Sequence, residues 1–422
     1  MFKNPEPFRV QGHKPFCGLW LKICVNYMVQ FSRGIATFGL DYGKCPKWLF
    51  ERMVKLSREM IEVIIKEYGP DEFIKRIADP VWFQSLGTVL AFDWNASGLT
   101  TTLTAALKEA IRGREKEYGI YICGGKGKTS RKTPQEILTW GHALGMSFSE
   151  VNKLVYNSKI VAKVDNSLIQ DGFQIYHHTF FFSYHSNGKG SWAVVQQGMN
   201  EKEITARRYH WYSSQFDFNS LNGSTSLVLE PHRGIVASKK KRVLNLVSQK
   251  SISTQNLSVE LVNQNFMSLI KDIKLLDKYT TDFSQMIKVG NTRQQLTLLN
   301  LENKEFKYQP VLNENFLNNR YLQKILYELT QRKPKTYEEL LSVYGVGPRT
   351  IRSLALVAEV IYGAKPSYED PARYSFAHGG KDATPFPVDR DTYDETINIL
   401  KDLVKKTKLP IVEKDTIIKN IS

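Results

Sequence analysis

Cysteine is scarce in this 422-residue chain, and the four present, Cys17, Cys24, Cys45 and Cys123, form no Cys-x-x-Cys pair and no Cys/His zinc spacing. That excludes a local zinc ribbon and a disulfide framework, and it fits reduced thiols in a cytoplasmic protein. Long apolar runs are missing as well. The stretch PFCGLWLKICVNYMV near the start is too short for a bilayer span and is interrupted by Lys22, so no membrane partner is expected. No small-residue cleavage site follows it, which argues against a signal peptide. Met28 opens a stretch that reads as a protein start, so residues 1–27 are expected to be a non-native or disordered extension. The chain has no internal repeat.

A complete nucleotide-cradling Walker A loop is also lacking. Ile120 to Cys123 reads as a short strand leading into Gly124-Gly125-Lys126-Gly127-Lys128-Thr129, but the position five before Gly127 is Ile122, where that motif needs glycine. The expectation is a flexible glycine loop whose Lys126, Lys128, Arg131 and Lys132 contact phosphate or face solvent. Thr133-Pro134-Gln135-Glu136 then reads as a capped helix start.

What the chain does have is positive charge. Lysine and arginine total 58 against 42 acidic residues, giving +16 and a pI near 9.4, a balance that suits a polyanionic partner and salt-sensitive association. Hydrophobic residues at 42% and aromatics at 12% describe a folded protein, long enough for two or three domains. Pro46 suits a first helical turn, and Trp48, Leu49, Met53, Leu56, Met60, Val63 and Ile64 form the apolar stripe of a long helix that ends at Gly69. Ser97 and the threonines after it precede a second stripe of Leu103, Ala106, Leu107 and Ile111.

The densest polar constellation lies between Lys163 and Trp211. Residues from Phe173 to Tyr184 alternate as a strand, Asn187-Gly188 reads as a hairpin turn, and Trp192 to Gln196 as the returning strand. Asp171, His177, His178, Gln196, Arg207 and Arg208 then supply an acid, imidazoles, an amide and guanidiniums, the groups phosphodiester cleavage would use as base, acid and charge clamp. The bland alternative is a half-buried hairpin whose polar groups bond to backbone. A basic run, Ser238 to Arg242, touches nucleic acid or solvent, and residues 256–335 read as a polar helical connector.

Near the C-terminal end, Leu340 to Gly363 reads as two helices joined by Gly345-Val346-Gly347, with Thr350 opening the second and Arg349 and Arg352 beside the turn. Glycines there let main-chain N–H groups and a helix start point at one phosphate oxygen. This stretch resembles the helix-hairpin-helix motif of DNA repair proteins, and the resemblance implies sequence-independent contact with a duplex backbone through Gly345, Val346, Gly347, Arg349, Thr350 and Arg352. Pro387-Val388-Asp389 also looks like the corresponding phrase of helix-hairpin-helix DNA glycosylases, which implies a catalytic Asp389. The catalytic lysine of bifunctional glycosylases is replaced by Arg349 at the nearest position, and the alternative for Asp389 is a plain helix cap.

KCPKWLFERM, FDWNASGLTTT, GGKGKTSRKTP, QDGFQIYHHTF, AVVQQGMN, RRYHW, GVGPRT and the stretch from SFAHGGKD to PFPVDR together resemble the prokaryotic, largely archaeal family called domain of unknown function 763, over about residues 32–405. The expected fold is α+β: a mixed domain over 28–235 with a β-hairpin or small sheet, a helical connector over 236–335, an all-helical helix-hairpin-helix domain over 336–410, and a tail. The expected function is DNA binding, as a repair or recombination nuclease using magnesium or manganese, with a glycosylase acting through Asp389 or a non-catalytic architectural factor as alternatives.

Overall fold

The computed structural model describes residues 45–91, 96–185, 189–217, 226–279, 316, 319–373 and 390–421. The architecture is mixed α and β. Helix α1 (Lys47–Tyr68) is preceded by Pro46 and stopped at Gly69, whose φ of +83° turns the chain into α2 (Pro70–Ala78). Met53, Met60, Ile61 and Ile64 carry its buried face, while Trp48, expected in that stripe, remains 59% exposed. Helices α3 (Pro80–Ala91), α4 (Ala96–Ala110) and the single turn α5 (Glu115–Tyr118) complete the first layer.

Strand β1 (Ile120–Lys126) follows, then a 3-10 turn (Gly127–Lys132), α6 (Thr133–Ala143), α7 (Phe148–Ser167), β2 (Ile169–Gln170), β3 (Gln174–Ser183), β4 (Lys189–Asn200), β5 (Thr205–Asp217) and β6 (His232–Val236). Five of these strands make one antiparallel sheet in the order β1-β3-β4-β5-β6. The glycine stretch is thus not the flexible loop expected from the sequence. Gly124 and Gly125 pair with Thr179 and His178 inside the ladder. A Cβ on Gly124, where φ is +91°, would lie 2.3 Å from the His178 carbonyl oxygen and the Thr133 hydroxyl, so close packing rather than phosphate access requires glycine there.

Nor does the expected Thr133–Glu136 capping box form. Glu136 Oε2 instead accepts hydrogen bonds from the Gly124 amide at 2.8 Å and from Lys108 Nζ at 2.6 Å, tying α6 to β1 and α4. The reciprocal box lies one helix later, between Ser147 and Glu150 at the start of α7.

The chain continues through β7 (Arg242–Asn245), α8 (Ile252–Asn263), α9 (Phe266–Tyr279), α10 (Arg320–Arg332), α11 (Tyr337–Ser342), α12 (Pro348–Val360), β8 (Ser367–Glu369), α13 (Arg390–Lys406) and α14 (Ile411–Ile421). Strands β2, β7 and β8 form a second, three-stranded sheet.

Each face of the large sheet is covered by helices. On one face Phe181, Ala193 and Val195 join Phe73, Phe83 and Leu103 of the N-terminal helices and Leu400 and Leu403 of α13. On the other, Phe180, Phe182, Trp192 and Val194 join Leu154 of α7, Leu261 of α8, Leu269 of α9, Leu326 of α10 and Leu354 of α12. Residues 236–335, expected as a polar connector, therefore supply a strand and buried helices wherever they are described. Helix α12 and helix α13, expected within one C-terminal domain, belong to the two different hydrophobic clusters that flank the sheet. Among the described residues, no helix is long and apolar enough to cross a membrane.

Candidate functional site

Neighbouring residues of a strand point to opposite faces of its sheet, and this divides the polar residues that the sequence groups together. His177 and Arg208 face the N-terminal helices. On the opposite side, His178 and Gln196 meet α7, and Arg207 meets Asp171 and Asp370.

On the N-terminal side, His177 Nε2 shares hydrogen bonds with the hydroxyls of Thr104 at 3.1 Å and Thr179 at 3.0 Å. Burial pushes its pKa down to about 3. Arg208 donates to Thr100 Oγ1 at 3.0 Å and Gln84 Oε1 at 3.2 Å, and its guanidinium lies 4.7 Å from the centre of the Phe83 ring. Burial brings its pKa down to about 9. His210, on the same face, is also fully buried, and burial carries its pKa well below the ordinary imidazole value.

On the other side of the sheet lie two hydrogen-bond networks. In the first, His178 Nδ1–H donates to Gln196 Oε1 at 2.8 Å and Nε2 accepts from Ser158 at 2.9 Å. Gln196 Nε2 donates to Asp165 Oδ2, which also accepts from Trp211 Nε1 at 2.9 Å. The other oxygen of Asp165 bonds His232 Nε2 at 2.5 Å. In the second, Arg207 bonds Asp171 through Nη1 at 2.9 Å and Asp370 through both terminal nitrogens at 3.1 and 2.7 Å. Asp171 further accepts from Tyr209 at 2.7 Å and from the Phe173 amide. Burial drives the Asp171 carboxyl up, against the pull of Arg207. For Arg207 burial works against the charge, but Asp171 and Asp370 hold its pKa above the ordinary value.

Asp171, His177, His178, Gln196, Arg207 and Arg208 are all buried, and each has partners inside the protein. They tie sheet, helices and the 370–373 segment together. Among the described residues, no group of three or more His, Cys, Asp or Glu side chains could hold a metal ion. Asp389 lies outside the described residues.

The glycine turn between α11 and α12 has a different character. Leu340 and Leu341 are buried, and Lys163 Nζ donates to the carbonyls of Leu341, Ser342 and Val343, at 2.8, 3.3 and 2.7 Å, sealing the end of α11. Gly345 has φ +86°, and a Cβ there would sit 2.3 Å from Ile325 Cδ1. Gly347 is the N-cap of α12 with extended backbone, φ −148°, and an added Cβ would meet nothing within 4 Å. Pro348, not Thr350, opens the helix, and Thr350 is buried in its first turn. Arg349 is exposed; Arg352 is half-buried and donates to Gln170 Oε1 at 2.5 Å. Lys126, Lys128, Arg131 and Lys132 are exposed on β1 and the 3-10 turn, at the sheet edge opposite β6.

The family model described as "Protein of unknown function (DUF763)" matches residues 34–388. The chain belongs to that family. No curated protein and no solved structure matches it.

In this DUF763 member the residues that sequence reasoning missed include His232 and Asp370. Their partners Asp165 and Arg207 stand 67 and 163 positions away along the chain. The local signal was a polar side chain beside a buried strand, where every polar group needs a partner from somewhere.

Proposed function

We propose that this protein binds duplex DNA by its phosphate backbone, without reading base sequence, through a helix-hairpin-helix made of α11, the Gly345–Gly347 turn and α12. The observation that carries this reading is Gly347. Neither its backbone conformation nor its packing calls for glycine, whereas Gly345 needs glycine on both counts. A residue without a side chain at that N-cap leaves the amides and the positive dipole end of α12 open to an anion. Arg349 adds charge beside it, and the chain's +16 favours association with a polyanion. The buried residues of the large sheet support a scaffold role, so the reading is of a DNA-binding factor and not of a nuclease working through them.

Asp is a good N-cap residue, so Gly347→Asp preserves or strengthens α12 while placing a carboxylate where the phosphate would lie. The expected result is an unchanged or higher melting temperature together with duplex affinity at least about tenfold weaker and a shallower salt dependence. Gly345→Ala, by contrast, is expected to lower stability first. Duplex binding by Gly347→Asp equal to that of the natural protein, measured by fluorescence anisotropy, would sink the proposal.

A further inference from the structure

Two tyrosines beside the hairpin are left unused by the fold. Tyr344, which leads into the Gly345–Gly347 turn, is 84% exposed, and Tyr321 on α10 is 58% exposed. Most other exposed aromatics rest on a neighbour, as Trp48 does on Arg52, Tyr156 on Glu338, and Tyr327 edge-on against Phe266. Among the described residues, Tyr344 and Tyr321 take part in no hydrogen bond or ring contact, and of the exposed aromatics only Phe148 at the start of α7 shares this.

Both side chains belong to the turn. Tyr344 is bonded to Gly345, and a Cβ on Gly345 would lie 2.8 Å from the Tyr321 hydroxyl oxygen, so the tip of Tyr321 ends against the turn. The missing side chain of Gly345 therefore makes room for Tyr321 as well as for Ile325, one helical turn further along α10. Gly347 is three residues from Tyr344, so their Cα atoms are at most about 11 Å apart.

Helix α10 brings charge of one sign to the same place. Arg320 and Lys324, one residue before and three after Tyr321, are exposed, and no carboxylate among the described residues pairs with either. Glu328, the next acid along the helix, is taken up by Arg332 at 2.8 Å. Exposed rings among free cations suit single-stranded nucleic acid, which offers base faces to the rings and phosphates to the cations. Along a continuous duplex the bases cover one another, and the rings would find no face to stack on.

We infer that the DNA bound here is a duplex with a single-stranded extension. Its backbone lies on the hairpin, Tyr344 and Tyr321 stack on unpaired bases, and Arg320 and Lys324 hold phosphates of the extension. The hairpin reading supplies the place of the duplex; the tyrosines carry the choice of partner. Because stacking accepts any base, the extension is held without preference for its sequence.

The test is fluorescence anisotropy of the full-length protein with a blunt duplex, with a duplex of equal phosphate count that ends in a single-stranded extension, and with the single strand alone. The extended duplex is expected to bind at least about tenfold more tightly than the blunt one. Tyr344→Ala/Tyr321→Ala is expected to reduce that preference to about twofold or less at an unchanged melting temperature, and Tyr344→Phe/Tyr321→Phe, which keeps the rings, to retain it. A 2-aminopurine placed in the extension beside the junction should be quenched by the natural protein and not by the alanine variant, a signal that a merely structural role would not move. Gly347→Asp separates the two readings. If it weakens blunt and extended duplex alike while the alanine variant keeps the full preference, the hairpin reading stands and this inference falls. If Gly347→Asp binds blunt duplex as the natural protein does, the hairpin reading falls, and quenching that needs the tyrosines still supports stacking at this turn. Equal affinity for blunt and extended duplex would overturn the inference. So would failure to bind any of the oligonucleotides, which would leave the tyrosines as a docking surface for another protein.

Discussion

Acidification from pH 6.5 to 5 is expected to remove up to about 5 kcal/mol of stability, because three histidines are folded away with lowered pKa values. His177, His178 and His210 are 0, 5 and 0% exposed. Burial lowers the pKa of all three, that of His177 to about 3. In the unfolded chain each titrates near its ordinary value of about 6.5. A depressed folded pKa means that the unfolded state binds the proton first, so the stability is whole above pH 6.5 and is lost as pH falls below it. Each ring contributes up to about 1.4 kcal/mol per pH unit, and the total is comparable with the whole stability of a marginal domain. Urea midpoints measured across this range should fall steeply. His177→Gln, whatever its effect on the midpoint at pH 7, should flatten the slope by about a third. A midpoint constant from pH 7 to 5 would show that these rings protonate without unfolding.

Local pattern revealed elements, but not their partners. Pro46 and Gly69 bracket α1 as read, β1 begins at Ile120, and the polar residues from Phe173 onward alternate along real strands. The same alternation divides His177 from His178 and Arg207 from Arg208, a consequence of strand periodicity that chemical type alone conceals. Grouping those residues as one site joined two faces of a sheet. The ion partner Asp370 and the dyad partner His232 depend on sheet order and on the return of the chain after α12, which no local spacing encodes. Gly347 was legible as a motif residue. Its meaning came from the contrast with Gly345, since only the structure shows which glycine the fold needs.

Arg207→Met is expected to cost about 3 to 5 kcal/mol at pH 7, the penalty for leaving buried carboxylates without their cation. Arg207 is fully buried between Asp171 and Asp370, and methionine keeps most of its bulk without its charge. In the natural protein burial already drives the Asp171 carboxyl up, and Arg207 is the first influence opposing it; Asp370 pushes the same way as burial. Removing the guanidinium raises that pKa further. A carboxyl with a raised folded pKa is stabilised by protonation, so the variant regains stability relative to the natural protein as pH falls through that value toward the unfolded value near 3.8. The difference in unfolding free energy between the two proteins should therefore be largest at neutral pH and smaller at pH 5. Asp171→Asn combined with Arg207→Met should recover part of the loss, because one uncompensated charge goes with its partner. The same substitution frees Asp370 from its main anchor, and Asp370 holds the Lys241 and Ala372 amides. A pH-independent loss below about 1 kcal/mol would mean that the carboxylates are neutralised by another route and that Arg207 is not what holds this segment to the sheet.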